Sequence, residues 1–307
     1  MREICETGAR KSVMENELIY YSKDVIMILS SVRRDSMRHI DTRFIHDLLC
    51  GDLEYFLTEV KNNRNILSLE VRNGYINIYY KGGNLLKITR KSKGYSFHFD
   101  AKYCKHEGGN KSFELLNNLH SNDIDGYKKH FHLMMKEMDA WFDEHPKEER
   151  DYQHRLLVNN PEIVDIEYQI GRRMRLDMLL FINGKLMIVE NKFGTGAIGG
   201  NAGISKHYAD ICEVLNDSKL LEEMIDSACH ISEAKKALGL TDTAIQKSDI
   251  KSVELLFLLA NYNPRSQSLS NEVGKMNGSV PASILTTTSK QTRIELSKAR
   301  DIFTLED

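Results

Sequence analysis

The sequence is poor in the features that mark fibrous, disordered and membrane-spanning chains. Only 4 of its 307 residues are proline and 19 are glycine, which excludes collagen-like and low-complexity classes. The longest purely apolar run, Leu255 to Ala260, is far shorter than the roughly 20 residues that a membrane helix needs. The segment that follows Met1 lacks the apolar core of a secretory signal. We therefore expect a cytoplasmic protein with no membrane association.

Neither sign of charge is in excess, and cysteines are few. The chain has 42 Lys and Arg against 44 Asp and Glu, a formal net charge of -2, so contact with nucleic acid would require a local basic patch. The 5 cysteines are scattered without closely spaced pairs, which argues against a disulfide framework or a zinc site. Hydrophobic residues make up 41%, enough for the core of one large domain or two.

The first part of the chain predicts helices followed by an antiparallel sheet. Apolar residues recur at helical spacing over Met14 to Ser30 and over Thr42 to Val60. The period changes to two between residues 66 and 101, where Asn73-Gly74 is typical of a hairpin turn. Aromatic and basic residues alternate in this meander, which fits a nucleic-acid recognition module and an oligomerisation module equally well.

A polar, glycine-containing stretch from Glu107 to Gly126 predicts a domain boundary. It separates an accessory α+β module at residues 1–125 from a second domain at 126–307. Helical periodicity begins again at Phe131, and Pro146 suits the first turn of the next helix. Later patterns predict strands at 163–170, 175–182, 185–192, 253–260 and 283–287, and helices at 204–215, up to 238, and at 293–302. The expected fold class is α/β.

The most informative segment is a predicted hairpin with two acidic residues. If Asn183-Gly184 forms a two-residue type I′ turn, Asp177 lies directly opposite Glu190. Opposed side chains have Cβ atoms about 4.5–5.5 Å apart, and like charges at that distance are destabilising. The pair therefore requires a cation.

Apolar residues line both faces of this hairpin, which predicts a sheet between two layers of helices. Asp177, Glu190 and Lys192 interrupt the pattern on one face, because residues two apart on a strand point the same way. Charged groups at the edge of a dry core are costly unless they are paired or functional. A solvated ion-pair network at the end of the sheet is the structural alternative.

Carboxylate pairs suit hard cations. Mg²⁺ prefers oxygen ligands and is usually held by one or two carboxylates together with substrate phosphate oxygens. Asp177 and Glu190 supply two carboxylates, and the backbone carbonyl of Asn191 is a candidate third ligand. Lys192 is placed to orient a water or to stabilise negative charge that develops on a phosphate. The sequence therefore predicts phosphodiester hydrolysis that depends on Mg²⁺ or Mn²⁺.

An Asp followed by Glu190-Asn191-Lys192 on the next strand resembles the PD-(D/E)XK nuclease superfamily. Its core order of helix, three strands, helix and strand is reproduced by residues 146–260. The resemblance implies a restriction-endonuclease-like mixed sheet sandwiched by helices, with Asp177 and Glu190 as metal ligands and Lys192 as the catalytic lysine. It further implies a deoxyribonuclease of restriction or phage defence, repair or recombination.

Further residues are assigned by the resemblance alone. The family often adds an acid from the helix before the strands, and Glu149 is the matching residue, with Glu148 as the fallback. It also carries polar or aromatic residues, frequently Gln and Tyr, on the helix after the lysine. That position reads Lys206-His207-Tyr208, where the tyrosine matches and an obvious glutamine is missing, so the roles of these three residues stay open.

Basic residues near the predicted site indicate nucleic acid as the partner. The candidate phosphate-binding residues are Arg172, Arg173 and Arg175 before the acidic pair, and Lys206, His207 and Tyr208 after it. The resemblance alone favours DNA over RNA, and it leaves open a homodimer or a partner protein.

Two other classes of function remain alternatives. One is a non-catalytic nucleic-acid- or protein-binding module, since a fold does not fix a function. The other is a nucleotide-dependent enzyme, because Gly194 to Gly199 matches G-x-G-x-x-G between a strand and a helix. The acid that should end a second strand about 20 residues later instead falls in a predicted helix. A flexible loop beside the metal site is the simpler interpretation of these glycines.

Overall fold

The computed structural model describes residues 37–170, 174–194, 198–200, 203–263 and 265–304. Its helices are α1 (Thr42–Cys50), α2 (Glu54–Asn62), α3 (Asn110–Asn117), α4 (Ile124–Lys129), α5 (Phe131–Glu144), α6 (Glu148–Asn159), α7 (Ile204–Asn216), α8 (Ser218–Ala237) and α9 (Gln267–Val273). Its strands are β1 (Leu67–Val71), β2 (Tyr75–Tyr80), β3 (Gly83–Arg90), β4 (Tyr95–His98), β5 (Ile163–Ile170), β6 (Met174–Ile182), β7 (Lys185–Phe193), β8 (Ser252–Ala260), β9 (Ala282–Thr287) and β10 (Arg300–Asp301). This is a mixed α/β chain with two sheets, as predicted. The predicted helix from Met14 to Ser30 lies outside the described residues.

The first sheet is the predicted antiparallel meander, in the order β1-β2-β3-β4. The hairpin turn at Asn73-Gly74 is confirmed, with Gly74 at φ 71°. The predicted helix from Thr42 to Val60 is broken into α1 and α2 at Gly51. A Cβ atom at Gly51 would lie 2.7 Å from the Cα atom of Asp47, so the close approach of the chain to the last turn of α1 requires a residue without a side chain at this position.

The helix expected to open the second domain packs against the first sheet instead. The ring of Phe131 on α5 lies 5.7 Å from the ring of Phe56 on α2. Further along α5, a Cβ atom on Gly83 of β3 would approach Met138 to 2.6 Å and Phe142 to 2.7 Å. The stretch predicted as a boundary contains α3 and the start of α4. Helix α5 thus lies beside the first sheet, and the domain boundary between residues 125 and 126 stays a prediction.

The second sheet has six strands in the order β10-β9-β8-β7-β6-β5. Strands β5, β6 and β7 are antiparallel, whereas β8 runs parallel to both β7 and β9. One face packs on α6 through Tyr152 and Leu156, and the other packs on α7 and α8 through residues such as Ile211 and Ile231. The predicted sheet between helices is thus present. The predicted closing helix at 293–302 is wrong, because that segment forms a 3-10 turn and then β10, which pairs with β9.

Buried ion pairs join the two sheets. Asp165 on β5 is fully buried and contacts the guanidinium groups of Arg38 and Arg72, the second at 2.8 Å. Lys235 on α8 donates to Glu70 on β1 at 2.8 Å and to the carbonyl of Val164 at 2.9 Å. These contacts bring together residues that are far apart in the sequence.

Candidate active site

The hairpin that carries the acidic pair forms in the predicted register. Asn183 and Gly184 both have positive φ, at 53° and 80°, as a type I′ turn requires. The paired residues of β6 and β7 run from Ile182 with Lys185 to Met178 with Val189. Asp177 and Glu190 are the next residues along the two strands, and they lie at the end of the hairpin farthest from the turn.

Glu190 is a fully buried carboxylate without hydrogen bonds. Its exposed fraction is 0%, and among the described residues neither carboxylate oxygen has a hydrogen-bond partner. Two cationic or potentially cationic groups lie near Oε2: His207 Nδ1 at 3.1 Å and Lys192 Nζ at 3.9 Å. A buried charge that lacks hydrogen bonds is strongly unfavourable, so Glu190 is poised to bind a further cation.

Asp177 shares this environment. Its Oδ2 accepts a hydrogen bond from the backbone N–H of Asn191 at 2.9 Å. Burial, with the nearby charge of Glu190, raises the pKa of Asp177 from its ordinary value of 3.8 to about 7, although the Asn191 hydrogen bond and Lys192 oppose this shift. The Asp177 carboxyl therefore resists ionisation in the absence of a cation.

The raised pKa makes a prediction about the stability of the metal-free protein. Because the pKa of Asp177 is higher in the folded state, folding binds a proton between about pH 4 and pH 7, and stability falls as the pH rises through this window. Asp177→Asn keeps an acceptor for the Asn191 N–H but cannot ionise. In EDTA we expect the melting temperature of this variant to exceed that of wild type by a few degrees above pH 7, with the difference shrinking toward pH 4.

The control for this measurement is Glu254→Gln, which removes a half-buried carboxylate from β8 that pairs with Lys185 at 2.9 Å. Its melting temperature should follow that of wild type across the same pH range, since an ion pair of this kind contributes little. Equal pH dependence in wild type and Asp177→Asn would contradict the assignment of the raised pKa to Asp177.

Lys192 completes the group on one face of the sheet. It is buried, at 7% exposed. Together with Ile188 and Glu190 it lies on the face of β7 that packs against α7 and α8. The side chain of Asn191 points to the opposite face, and its Oδ1 is buried without a hydrogen-bond partner in the described part of the chain. The role predicted for Asn191, a metal ligand through its backbone carbonyl, stays a prediction.

The donor set fits a divalent cation in part. No group of three or more His, Cys, Asp or Glu side chains within the described ranges is already arranged to hold a metal. The fit rests instead on the orphaned Glu190 oxygens and on the Asp177 carboxylate beside them. Two carboxylates with open coordination positions are the arrangement that Mg²⁺ and Mn²⁺ use when substrate and water supply the other ligands.

Glu149 is not brought to this group. It lies in the exposed first turn of α6. That helix packs through Tyr152 on the face of the sheet formed by Met178 and Val189, whereas Asp177 and Glu190 belong to the other face. Helical spacing correctly placed Glu149 near Tyr152 but could not reveal which side of the sheet the helix covers.

The predicted nucleic-acid-binding residues do not lie together at one surface of the described structure. Arg172 and Arg173 lie outside the described residues, and Arg175 is exposed on β6, with Nη1 3.5 Å from Glu167 Oε1. Lys206 is exposed and forms an ion pair with Asp210.

Tyr208 does not have the surface position that nucleic-acid binding requires. It is 2% exposed, and its hydroxyl donates to the Val280 carbonyl at 3.0 Å and accepts from the Val280 N–H at 2.9 Å. This tyrosine therefore packs α7 against the core and is not free to meet a nucleic acid.

The contact that the sequence did not reveal is the one between His207 and Glu190. The first turn of α7 is fixed on both sides of His207, by a hydrogen bond from Ser205 to Glu272 and by the pairing of Tyr208 with Val280. His207 is thereby held over the end of β7. The only sequence signal was the position of Lys206-His207-Tyr208 on the helix after the lysine, which we read as phosphate-binding.

Comparisons of the chain with protein-family models, with curated proteins and with solved structures give no match in any of the three. Within the described part of the chain, none of the helices has both the length and the apolar composition that crossing a membrane requires.

Proposed function

We propose that this protein is a metal-dependent nuclease of the PD-(D/E)XK type that hydrolyses phosphodiester bonds in DNA. The observation that carries the proposal is the buried Glu190 carboxylate, which has no hydrogen-bond partner among the residues that the structure describes and lies beside Asp177 and Lys192. A purely structural ion-pair network would be expected to satisfy its buried oxygens. Glu190 is left unsatisfied, which is a sign of function rather than of packing.

The order of elements around the site supports the same proposal. Helix α6 is followed by the antiparallel strands β5, β6 and β7, then by α7 and α8, and then by β8, which is parallel to β7. This order is consistent with the helix, three strands, helix and strand that the resemblance to the PD-(D/E)XK superfamily implies. The acidic residues lie where β7 ends and α7 begins, beside the parallel pair of strands. Ligand sites in sheets with parallel strands commonly form at this carboxyl edge.

Each residue has a defined part in the proposed reaction. Asp177 and Glu190 would hold the divalent cation, which would supply Lewis-acid polarisation of the phosphate and activation of water. Lys192, on the same face as Glu190, donates to the attacking water or to the phosphate oxygen on which charge accumulates. Arg175 is exposed on the strand that carries Asp177, where it pairs with Glu167, and we assign it to binding backbone phosphate.

The proposal is tested by incubating purified protein with linear duplex, supercoiled and single-stranded DNA and with RNA, each with Mg²⁺, Mn²⁺ or EDTA. We expect cleavage of DNA with metal and none with EDTA. Glu190→Gln should lose this cleavage, because it removes one of the two carboxylates, whereas the control Glu254→Gln should retain it. The pattern of products distinguishes endonuclease from exonuclease action.

Cleavage that persists in Glu190→Gln would refute the assigned site. Metal-dependent binding of DNA without cleavage would favour the non-catalytic binding module.

A further inference from the structure

A histidine that is not part of the predicted ligand set lies beside the unsatisfied Glu190 carboxylate. His207 Nδ1 lies 3.1 Å from Glu190 Oε2. Despite this short distance, no hydrogen bond joins the two groups, and Oε2 has no hydrogen-bond partner among the described residues. The nitrogen of His207 and the oxygen of Glu190 are thus in contact but not hydrogen-bonded. Two ligand atoms that bind the same metal ion have this arrangement.

The separation matches adjacent ligands of an octahedral ion. Bonds of about 2.1 Å at right angles place neighbouring ligand atoms about 3.0 Å apart. The distance of 3.1 Å from His207 Nδ1 to Glu190 Oε2 is close to this value. The spacing of Glu190 and His207 therefore suits two adjacent ligands of one ion, and Asp177 lies on the adjoining strand.

His207 is held firmly in this position. On one side, the hydroxyl of Ser205 donates to Glu272, which also binds Lys275 at 2.5 Å. On the other side, Tyr208 is locked to the backbone of Val280. A ligand in a helical turn that is fixed on both sides of it is pre-organised, which favours metal binding because little order must be gained.

We propose that His207 is a ligand of the metal, so that the site takes Mn²⁺ or a later first-row divalent ion in preference to Mg²⁺. The inference rests on the proposed function, since it concerns the same cation. Mg²⁺ is a hard ion that prefers oxygen ligands, whereas imidazole nitrogen suits transition metals. An imidazole in place of an oxygen ligand shifts selectivity toward the transition metals.

The test measures metal binding separately from cleavage. Mn²⁺ is titrated into the metal-free full chain, and the free ion is followed by electron paramagnetic resonance, alone and in competition with Mg²⁺. Loss of a residue that only hydrogen-bonds to a metal ligand lowers metal affinity about 10–100-fold. Loss of the ligand His207 itself, in His207→Ala, should therefore weaken Mn²⁺ binding at least about 10-fold. Its Mg²⁺ affinity should change much less. The control His98→Ala, which removes an exposed histidine from β4, should bind Mn²⁺ like wild type.

A direct signature keeps the proposal testable even if His207→Ala does not fold. Electron spin-echo modulation from a ligand nitrogen should be present with Mn²⁺ bound to wild type and to His98→Ala, and absent in a folded His207→Gln. Mn²⁺ binding without nitrogen modulation, or with unchanged affinity in His207→Ala, would overturn the proposal and leave the nuclease assignment intact. Failure of wild type to bind any divalent cation would overturn both.

Discussion

Replacing Lys192 with alanine is expected to lower the rate of DNA cleavage about 10²–10³-fold, the magnitude seen when one pre-organised donor to a developing charge is removed. Lys192 is 7% exposed, and its Nζ lies 3.9 Å from Glu190 Oε2, so its charge acts in a region from which water is largely excluded. The electrostatic interaction of a charge with a developing negative charge is stronger in such a region than at the protein surface. The measurement is a single-turnover cleavage assay at saturating metal.

The same variant should keep its metal. Removing Lys192 takes a positive charge away from Glu190, so Lys192→Ala should bind Mn²⁺ at least as tightly as wild type. The control is Lys185→Ala at the other end of β7, whose exposed amine pairs with Glu254 at 3.0 Å; it should cleave normally. Equal cleavage by Lys192→Ala and Lys185→Ala would remove Lys192 from the reaction. Loss of cleavage together with loss of metal would make Lys192 a residue that supports the metal site.

The hairpin that carries the site could be predicted from the sequence because its register depends only on residues that are close together in the chain. The pair Asn183-Gly184 sets the turn, and the turn sets the register as far as Met178 and Val189. Asp177 and Glu190 are the next residue on each strand, so counting brings them close together. The first sheet was predictable for the same reason, since its strands are joined by short turns. In both cases each residue finds its partner within a few positions of the chain.

The features that were missed depend on contacts between distant residues. Tyr208 was predicted to contact nucleic acid from the resemblance, yet its hydroxyl is bound by Val280, 72 positions away, and no local pattern indicates this. Glu149 has the expected place on its helix, but the face of the sheet that α6 covers is decided by the whole arrangement of layers. The amphipathic pattern of α5 correctly predicts a buried helix face but does not say which sheet it buries against.

The largest effect on stability is expected at Asp165, which also could not be singled out from the sequence. It is 0% exposed and contacts two buried arginines, Arg38 and Arg72, that lie 127 and 93 positions away. Asp165→Asn preserves shape but removes the negative charge, and its amide group turns a donor toward one of the guanidinium groups. Breaking a buried ion pair by removing one partner costs about 3–5 kcal/mol. We expect a loss of this size in the free energy of unfolding.

The measurement is urea unfolding followed by the fluorescence of Trp141, the single tryptophan of the chain, and by circular dichroism. Trp141 lies on α5 and packs against Tyr103 at 5.4 Å, so it reports the layer around the first sheet, while circular dichroism reports both layers. The control is Glu162→Gln, whose exposed pair with Arg293 is at 2.5 Å and should contribute no more than about 1 kcal/mol.

Because Asp165 joins the two sheets, its loss should also separate the two unfolding curves, which coincide in wild type if both sheets unfold together. Coincident curves with a loss no larger than that of Glu162→Gln would mean that the buried ion pairs do not hold the sheets together, and that the continuous apolar core does so alone.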